Sequence, residues 1–282
     1  MLVKFRRRYF LKYAIKPWEE LTIKDDYMFK KVMSYKRLCK RMLEKLLKIE
    51  INDIKYVEEE KTTKVAYVSK GIRLDVYVKD DKNTVYNVEM QVRNLQDNSL
   101  FKRIRYYQSV IDTDLLTVGD LYDTLNQTFV IFICPFSVLD GKRHIYTFKN
   151  ICVEDKSIEM EDGATKMLIS TKGMMNDVTP DVKAFLNYID GIVSDDDFVS
   201  EVDKTVKEIK ERESERKSYM TYEMKILEER EYARREGREE GREINLLENI
   251  RSLMKNMGLS AKDAMNVLSV SPESQKQLAP LV

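Results

Sequence analysis

Residues 71–93 read G-I-R-L-D-V-Y-V-K-D-D-K-N-T-V-Y-N-V-E-M-Q-V-R, and this stretch decides how the rest of the chain is read. Polar and apolar side chains alternate on both sides of a polar centre, the period of a half-buried strand. Arg73, Asp75 and Tyr77 share one face of the first strand, with Leu74, Val76 and Val78 on the other. In the second strand Glu89, Gln91 and Arg93 share a face, and Val88, Met90 and Val92 take the opposite one. Lys79-Asp80-Asp81-Lys82-Asn83 between them is a turn, rich in residues that bond back to their own backbone. Acids placed mid-strand between β-branched neighbours are where packing alone would not put them.

Two carboxylates on neighbouring antiparallel strands, Asp75 and Glu89, repel one another and draw a cation. Hard oxygens of this kind suit Mg²⁺ or Mn²⁺, with waters completing the shell, and the backbone carbonyl of Met90 is a further oxygen ligand. Gln91 lies two residues beyond Glu89 on the same face and can orient a water or a phosphate oxygen. Such a centre activates water and neutralises charge developing on a phosphate. The plain alternative is a sheet with one wet face, on which acid pairs arise freely. Pattern alone leaves both open.

Upstream, Asp25 or Asp26 can cap a helix. Phe29, Val32 and Met33, then Leu38, Met42, Leu43 and Leu46, recur at helical spacing with a break near Ser34-Tyr35. Lys30, Lys31, Lys36, Arg37, Arg41 and Lys45 cover much of the remainder, as a solvated face or as one that touches phosphates. Short strands are expected at 51–56 and 64–69, with a loop at 58–61. Downstream, a helix is expected over 100–116 and a buried central strand at Phe129-Val130-Ile131-Phe132-Ile133-Cys134. An edge strand at 143–148, a last strand around Met167-Leu168-Ile169 and a helix at 181–193 follow. Helices and strands in this order make an α/β layer fold. His144, the one histidine, is expected on a surface strand. With 1 histidine and 3 dispersed cysteines, neither a His-rich zinc site nor a serine triad is available.

Lys and Arg number 49 against 48 Asp and Glu, so overall charge points to no partner class. Locally, Lys4, Arg6, Arg7, Arg8, Lys12 and Lys16 form a basic arm without an acid, suited to phosphates, to an anionic membrane or to solvent. Cys39, Cys134 and Cys152 are expected as free thiols, and no apolar run is long enough to span a membrane, so a cytoplasmic location without membrane partners is expected. Dense mixed charge over 201–242 fits a solvated helix, hinged at Gly237 and Gly241, better than a coiled coil. Two short helices around Gly258, the second capped by Ser260, resemble half of a helix-turn-helix or a docking hairpin. The expected organisation is a basic arm over 1–19, an α/β domain over 20–199, a charged helical linker over 200–243 and a helical segment over 244–282.

The order of these elements, with R-L-D-V-Y-V and then V-E-M-Q, resembles the PD-(D/E)XK nuclease superfamily. More narrowly it resembles the PD-(D/E)XK family transposases, the recombination-promoting nucleases of the Rpn type. Their opening box D-x-x-F-K-x-x-F is similar to Asp26-Tyr27-Met28-Phe29-Lys30-Lys31-Val32-Met33, with Met33 where an aromatic is common. Their R-x-D-V and N-x-E-x-Q are matched by Arg73-Leu74-Asp75-Val76 and Asn87-Val88-Glu89-Met90-Gln91, and K-R-x-x-Y-Y by Lys102-Arg103-Ile104-Arg105-Tyr106-Tyr107. The tail E-G-R-E-E-G-R-E is also like these proteins.

The resemblance implies a restriction-endonuclease-like α/β core, a mixed sheet flanked by helices, with a helical C-terminal extension. Asp75, Glu89 and the Met90 carbonyl would ligate Mg²⁺, with Mn²⁺ as the alternative. Gln91 would occupy the place of the superfamily's water-orienting lysine, although a glutamine has no basic lone pair. Asp26, or Glu44 on the next helix, is the candidate third acid. Lys30, Arg73, Arg93, Lys102, Arg103 and Tyr107 would hold DNA phosphates, which positions a duplex without reading its sequence. The implied activity is a metal-dependent DNA endonuclease of low sequence specificity, acting in recombination or for a mobile element. A homo-oligomer, a dimer through the C-terminal helices, is expected. The alternative is a nuclease-fold DNA-binding or protein-docking module that cuts poorly. Asp75 and Glu89 too far apart for one ion to bridge, or an occluded face between them, would favour it, and close carboxylates in an open basic cleft would favour the enzyme.

Overall fold

The computed structural model describes residues 15–56, 62–63, 72–94, 99–116 and 118–282, with the backbone alone at 62–63 and 72–73. The basic arm up to residue 14, the loop and strand expected at 58–61 and 64–69, and the Arg73 side chain lie outside the described residues. Helices α1 (Asp26–Met33) and α2 (Lys36–Leu47) precede β1 (Ile54–Tyr56) and a short antiparallel pair, β2 (Thr62–Thr63) and β3 (Ile72–Arg73). The hairpin strands β4 (Val76–Asp80) and β5 (Val85–Met90) follow, then α3 (Ser99–Leu115), β6 (Thr128–Cys134), β7 (Ile145–Phe148) and β8 (Ala164–Ser170). Helices α4 (Pro180–Ile189), α5 (Asp197–Glu211), α6 (Glu213–Met257), α7 (Ala261–Val267) and α8 (Pro272–Leu278) complete the chain.

Six strands form one mixed sheet in the order β1-β4-β5-β6-β8-β7. β5, β6 and β8 run parallel, and the outer pairings are antiparallel. Parallel neighbours need a crossover, and α3 supplies it between β5 and β6. Val130 through Cys134 are fully buried on both faces, which is why this strand reads as an unbroken apolar run. On one face, Leu100, Ile104, Tyr107 and Ile111 of α3 pack on Tyr77, Val85, Val130 and Phe132. Val78, Val88, Ile131 and Ile169 on the opposite face are buried as well. The fold is therefore the mixed α/β sheet flanked by helices that the sequence predicts.

The hairpin turn is tighter than predicted. β4 runs on to Asp80, whose Oδ1 accepts from the Lys82 and Thr84 amides at 2.9 and 2.8 Å while Oδ2 accepts from the Tyr86 hydroxyl at 2.8 Å. Asn83 takes the left-handed conformation, φ 68°, that closes the turn.

The helical break expected near Ser34-Tyr35 is present, with Tyr35 extended between α1 and α2. Asp25 is the residue before α1, yet its side chain makes no cap; it accepts instead from the Thr22 amide at 2.7 Å and from Lys16 at 2.6 Å. The basic face of α2 is partly solvated, with Lys36 and Arg37 exposed, and partly paired with other helices. Arg37 and Arg41 pair with Glu201 of α5, and Lys45 pairs with Asp181 of α4. These contacts correct the reading of 201–242 as one solvated helix. Val199, Val202, Val206 and Ile209 of α5 are buried, and the helix break falls at Arg212. α6 then runs without interruption through Gly237 and Gly241.

His144 also departs from expectation. It is buried at 2% exposure, its Nδ1 2.7 Å from Asp177 Oδ1 and its Nε2 2.6 Å from the Lys183 ammonium. Gly173 lies so close that a Cβ there would come within 2.6 Å of the imidazole. The three cysteines are free.

Two compact units divide the chain, Lys16–Arg216 and one that includes Lys217–Val282. The second has its own small core of Ile250, Ala264, Met265 and Leu278. The first of the two short helices expected around Gly258 is the end of the long α6; Ser260 caps α7 by accepting from the Asp263 amide at 3.1 Å, and α8 follows. Among the described residues no helix is long and apolar enough to cross a membrane.

Candidate active site

The β4/β5 ladder ends with Val76 opposite Val88. One step further, Asp75 falls beside Glu89, but not within a regular strand. Asp75 stands at a bend between β3 and β4, which corrects its mid-strand placement. The bend has a physical role. Past the last ladder pair, side chains replace backbone partners: the Asp75 amide donates to Glu89 Oε1 at 3.0 Å, and the Met90 amide donates to Asp75 Oδ2 at 3.1 Å. Each carboxylate is thus latched to the backbone of the other's strand segment.

Helix α1 brings an acid and a cation to this latch on one face, because Asp26 and Lys30 are one turn apart. Lys30 Nζ lies 3.0 Å from Asp75 Oδ1 and 3.2 Å from Asp26 Oδ1, and the Asp26 side chain hydrogen-bonds that of Asp75. From the other side, α3 presents Arg103. Its guanidinium donates to Gln91 Oε1 at 2.8 Å, to the Tyr107 hydroxyl at 2.6 Å and, more weakly, to Glu89 Oε2 at 3.4 Å. It lies over the Tyr107 and Phe132 rings, 4.9 and 5.5 Å from their centroids.

These contacts sort the expected site residues. Asp26, Asp75, Glu89, Met90 and Gln91 are gathered at one end of the hairpin. Glu44 is elsewhere: it accepts from the Ile51 amide at 3.1 Å and pairs with Lys40, so Asp26 alone of the two candidates reaches the pair. Of the expected phosphate contacts, Arg93 and Lys102 are exposed. Lys30, Arg103 and Tyr107 are drawn into the site instead. Sequence reasoning missed the Arg103–Gln91 bond, although the one-turn spacing of Arg103 and Tyr107 on α3 was a signal that both face the hairpin.

A family model described as PD-(D/E)XK nuclease family transposase matches residues 23–168. The match begins just before α1 and ends within β8, and it takes in Asp26, Asp75, Glu89 and Arg103. The chain belongs to this family. No curated protein and no solved structure matches it. Membership brings nuclease-type hydrolysis with DNA as the substrate class, and PD-(D/E)XK nucleases usually use a divalent metal.

The electrostatics of the site bear on that metal. Glu89 is 2% exposed, and burial, reinforced by the Asp75 charge, holds its carboxyl well above the usual range. Burial and then the charge of Asp26 push Asp75 up to about 7. Carboxylates that resist ionisation when desolvated together are what a divalent cation relieves. Among the described residues no group of three or more His, Cys, Asp or Glu forms a ready cage. A divalent ion that keeps several waters takes only one or two carboxylates from the protein. Asp75 and Glu89 are therefore the residues suited to hold the ion. The Met90 peptide faces the pair through its amide.

A pH dependence follows for the metal-free protein. Asp75 titrates near 3.8 in the unfolded chain and near 7 in the folded one, so the folded chain binds the proton more tightly. Its stabilising contribution is complete below the unfolded value and is lost as pH rises through the folded one. In chelator, the melting temperature should fall between about pH 4 and about pH 7, more steeply than in Asp75→Asn. Thermal melts across that range check it; equal slopes in the two proteins would contradict it.

Proposed function

We propose that the chain is a DNA endonuclease dependent on Mg²⁺, with Mn²⁺ as a substitute, hydrolysing phosphodiester bonds with low sequence specificity. The observation that carries this is the reciprocal latch of Asp75 and Glu89, which sets side by side the two acids that would hold one ion. When bound, the ion would act as a Lewis acid on the phosphate and lower the pKa of the attacking water. Asp75, Glu89 and the Met90 carbonyl would hold it, with Asp26 as the third acid beside Asp75.

Gln91 works here as a positioning residue. Its Oε1 accepts from Arg103, and its Nε2 donates to the Arg93 carbonyl at 2.6 Å, so it fixes the guanidinium and takes no proton. Arg103, with donors to spare in its planar fork, can meet a phosphate oxygen at the centre without reorganising. The exposed Arg93 and Lys102 take phosphates further along the backbone, contacts that carry no sequence information. Cleavage would leave a 5′-phosphate and a 3′-hydroxyl. Two copies, joined through the C-terminal helices, would address the two strands of a duplex.

The test is conversion of supercoiled plasmid in Mg²⁺ or in chelator, for the parent, Asp75→Asn and Glu89→Gln. Metal-dependent nicking by the parent and its loss in both variants is expected. Nicking unchanged in both variants would mean that another site cuts. Binding without any nicking by the parent would favour the weakly cutting module. Separately, Lys102→Ala and Arg93→Ala should each weaken DNA binding uniformly across sequences and lower the salt slope by about one. An unchanged slope in a salt titration would remove them from the interface.

A further inference from the structure

Lys30 answers poorly to either role a lysine ordinarily has on an amphipathic helix. Its side chain is only 15% exposed, unlike the open Arg93 and Lys102 expected on a DNA backbone. Nor does it simply pair along its own helix, since its ammonium is as close to Asp75 as to Asp26. It sits against the carboxylate that would hold the ion. When all groups ionise, Asp26, Asp75 and Glu89 face the two cations Lys30 and Arg103, leaving a net charge of about −1. A divalent ion turns that to about +1, the sign that draws a phosphodiester, and it repels an ammonium from the same oxygens.

We infer that Lys30 is an exchanging counter-ion: it neutralises Asp75 in the metal-free protein and is handed to a DNA phosphate when the ion takes its place. This rests on the reading of Asp75 and Glu89 as the ion's ligands. The residue type fits the task. A lysine is a compact charge on a flexible four-carbon stem, able to swing, whereas an arginine in a bidentate pair is held. Arg103, wedged on two rings and bonded to Gln91 and Tyr107, is the fixed cation of the centre, and Lys30 is the mobile one. Exchange of partners couples the two bindings. Metal frees a cation for DNA, and by reciprocity DNA strengthens the hold on metal.

The experiment compares the parent with Lys30→Gln and Lys30→Arg in two measurements that need no turnover. Calorimetric titration with Mn²⁺ alone should show Lys30→Gln binding roughly fivefold tighter or more, because the competing cation is gone, with Lys30→Arg near the parent. Binding of a labelled duplex, with Ca²⁺ or with chelator, should show that Ca²⁺ strengthens the parent's affinity more than that of Lys30→Gln. The salt slope of Lys30→Gln should be lower by about one with Ca²⁺ and unchanged without it. Thermal melts establish that both variants fold. Unchanged or weaker Mn²⁺ binding in folded Lys30→Gln overturns the exchange, as does an unchanged effect of Ca²⁺ on DNA affinity. If the parent cleaves with Mg²⁺ while either of these occurs, the inference alone fails. A parent that binds no metal and does not cleave removes the nuclease reading, and this inference with it.

Discussion

Glu89→Gln and Asp75→Asn are each expected to lower plasmid cleavage at saturating Mg²⁺ by about three orders of magnitude, about 4 kcal/mol of barrier. At the same time each is expected to raise the melting temperature of the metal-free protein at neutral pH. The two effects share one cause. Glu89 is buried with Asp75 as its neighbour, so its ionised form is disfavoured in the absence of a cation. A neutral amide of the same shape removes that cost, and its oxygen still accepts from the Asp75 amide that now binds Glu89 Oε1. Arg103 retains Gln91 and Tyr107 as partners, so no buried cation is orphaned. What the amide cannot supply is the charge that holds a divalent ion. Loss of activity with a gain in thermal stability distinguishes a metal ligand from a structural acid, whose replacement lowers both. Melting curves in chelator and initial rates in Mg²⁺ decide between them.

Phe132→Ala should destabilise the protein by about 3–5 kcal/mol, enough to unfold much of the population of a marginally stable domain. Phe132 is fully buried in the middle of β6, and its removal leaves a cavity between the central strand and α3. The Tyr107 ring, 5.7 Å from it centroid to centroid, and the Arg103 guanidinium above both lose their support. Activity should therefore fall further than the folded fraction does. Phe132→Leu keeps most of the volume and should cost about 1.5 kcal/mol or less, with cleavage largely retained. Urea denaturation read beside cleavage rate checks both parts. A small loss of stability in Phe132→Ala would mean that α3 does not depend on the strand as described.

The central strand was legible because a strand buried on both faces has only apolar side chains to show, and 130–134 has nothing else. The shared face of Glu89 and Gln91 was legible for a similar reason, since period two holds along β5 whatever surrounds it. The bend at Asp75 was not. Alternation continues through Arg73, Leu74, Asp75 and Val76 without a signal, and the ladder stops only because side chains 14 and 15 residues away take over its hydrogen bonds. Lys30 was read as a phosphate contact because helical periodicity says which residues share a face and not what that face meets. Val202, Val206 and Ile209 stand at helical spacing in the sequence, but dense mixed charge surrounds them and pointed to a solvated helix. Glu201 meets Arg41, which stands 160 residues earlier in the chain. Partners so distant in sequence leave no local trace.

Titration of Mn²⁺ into the protein, followed by electron paramagnetic resonance of the free ion, tests the metal centre most directly. One ion bound per chain by the parent, displaced by Mg²⁺, and none bound by Asp75→Asn or Glu89→Gln is the expected result. Equal Mn²⁺ binding by the parent and both variants would contradict the assignment of Asp75 and Glu89 as the ligands.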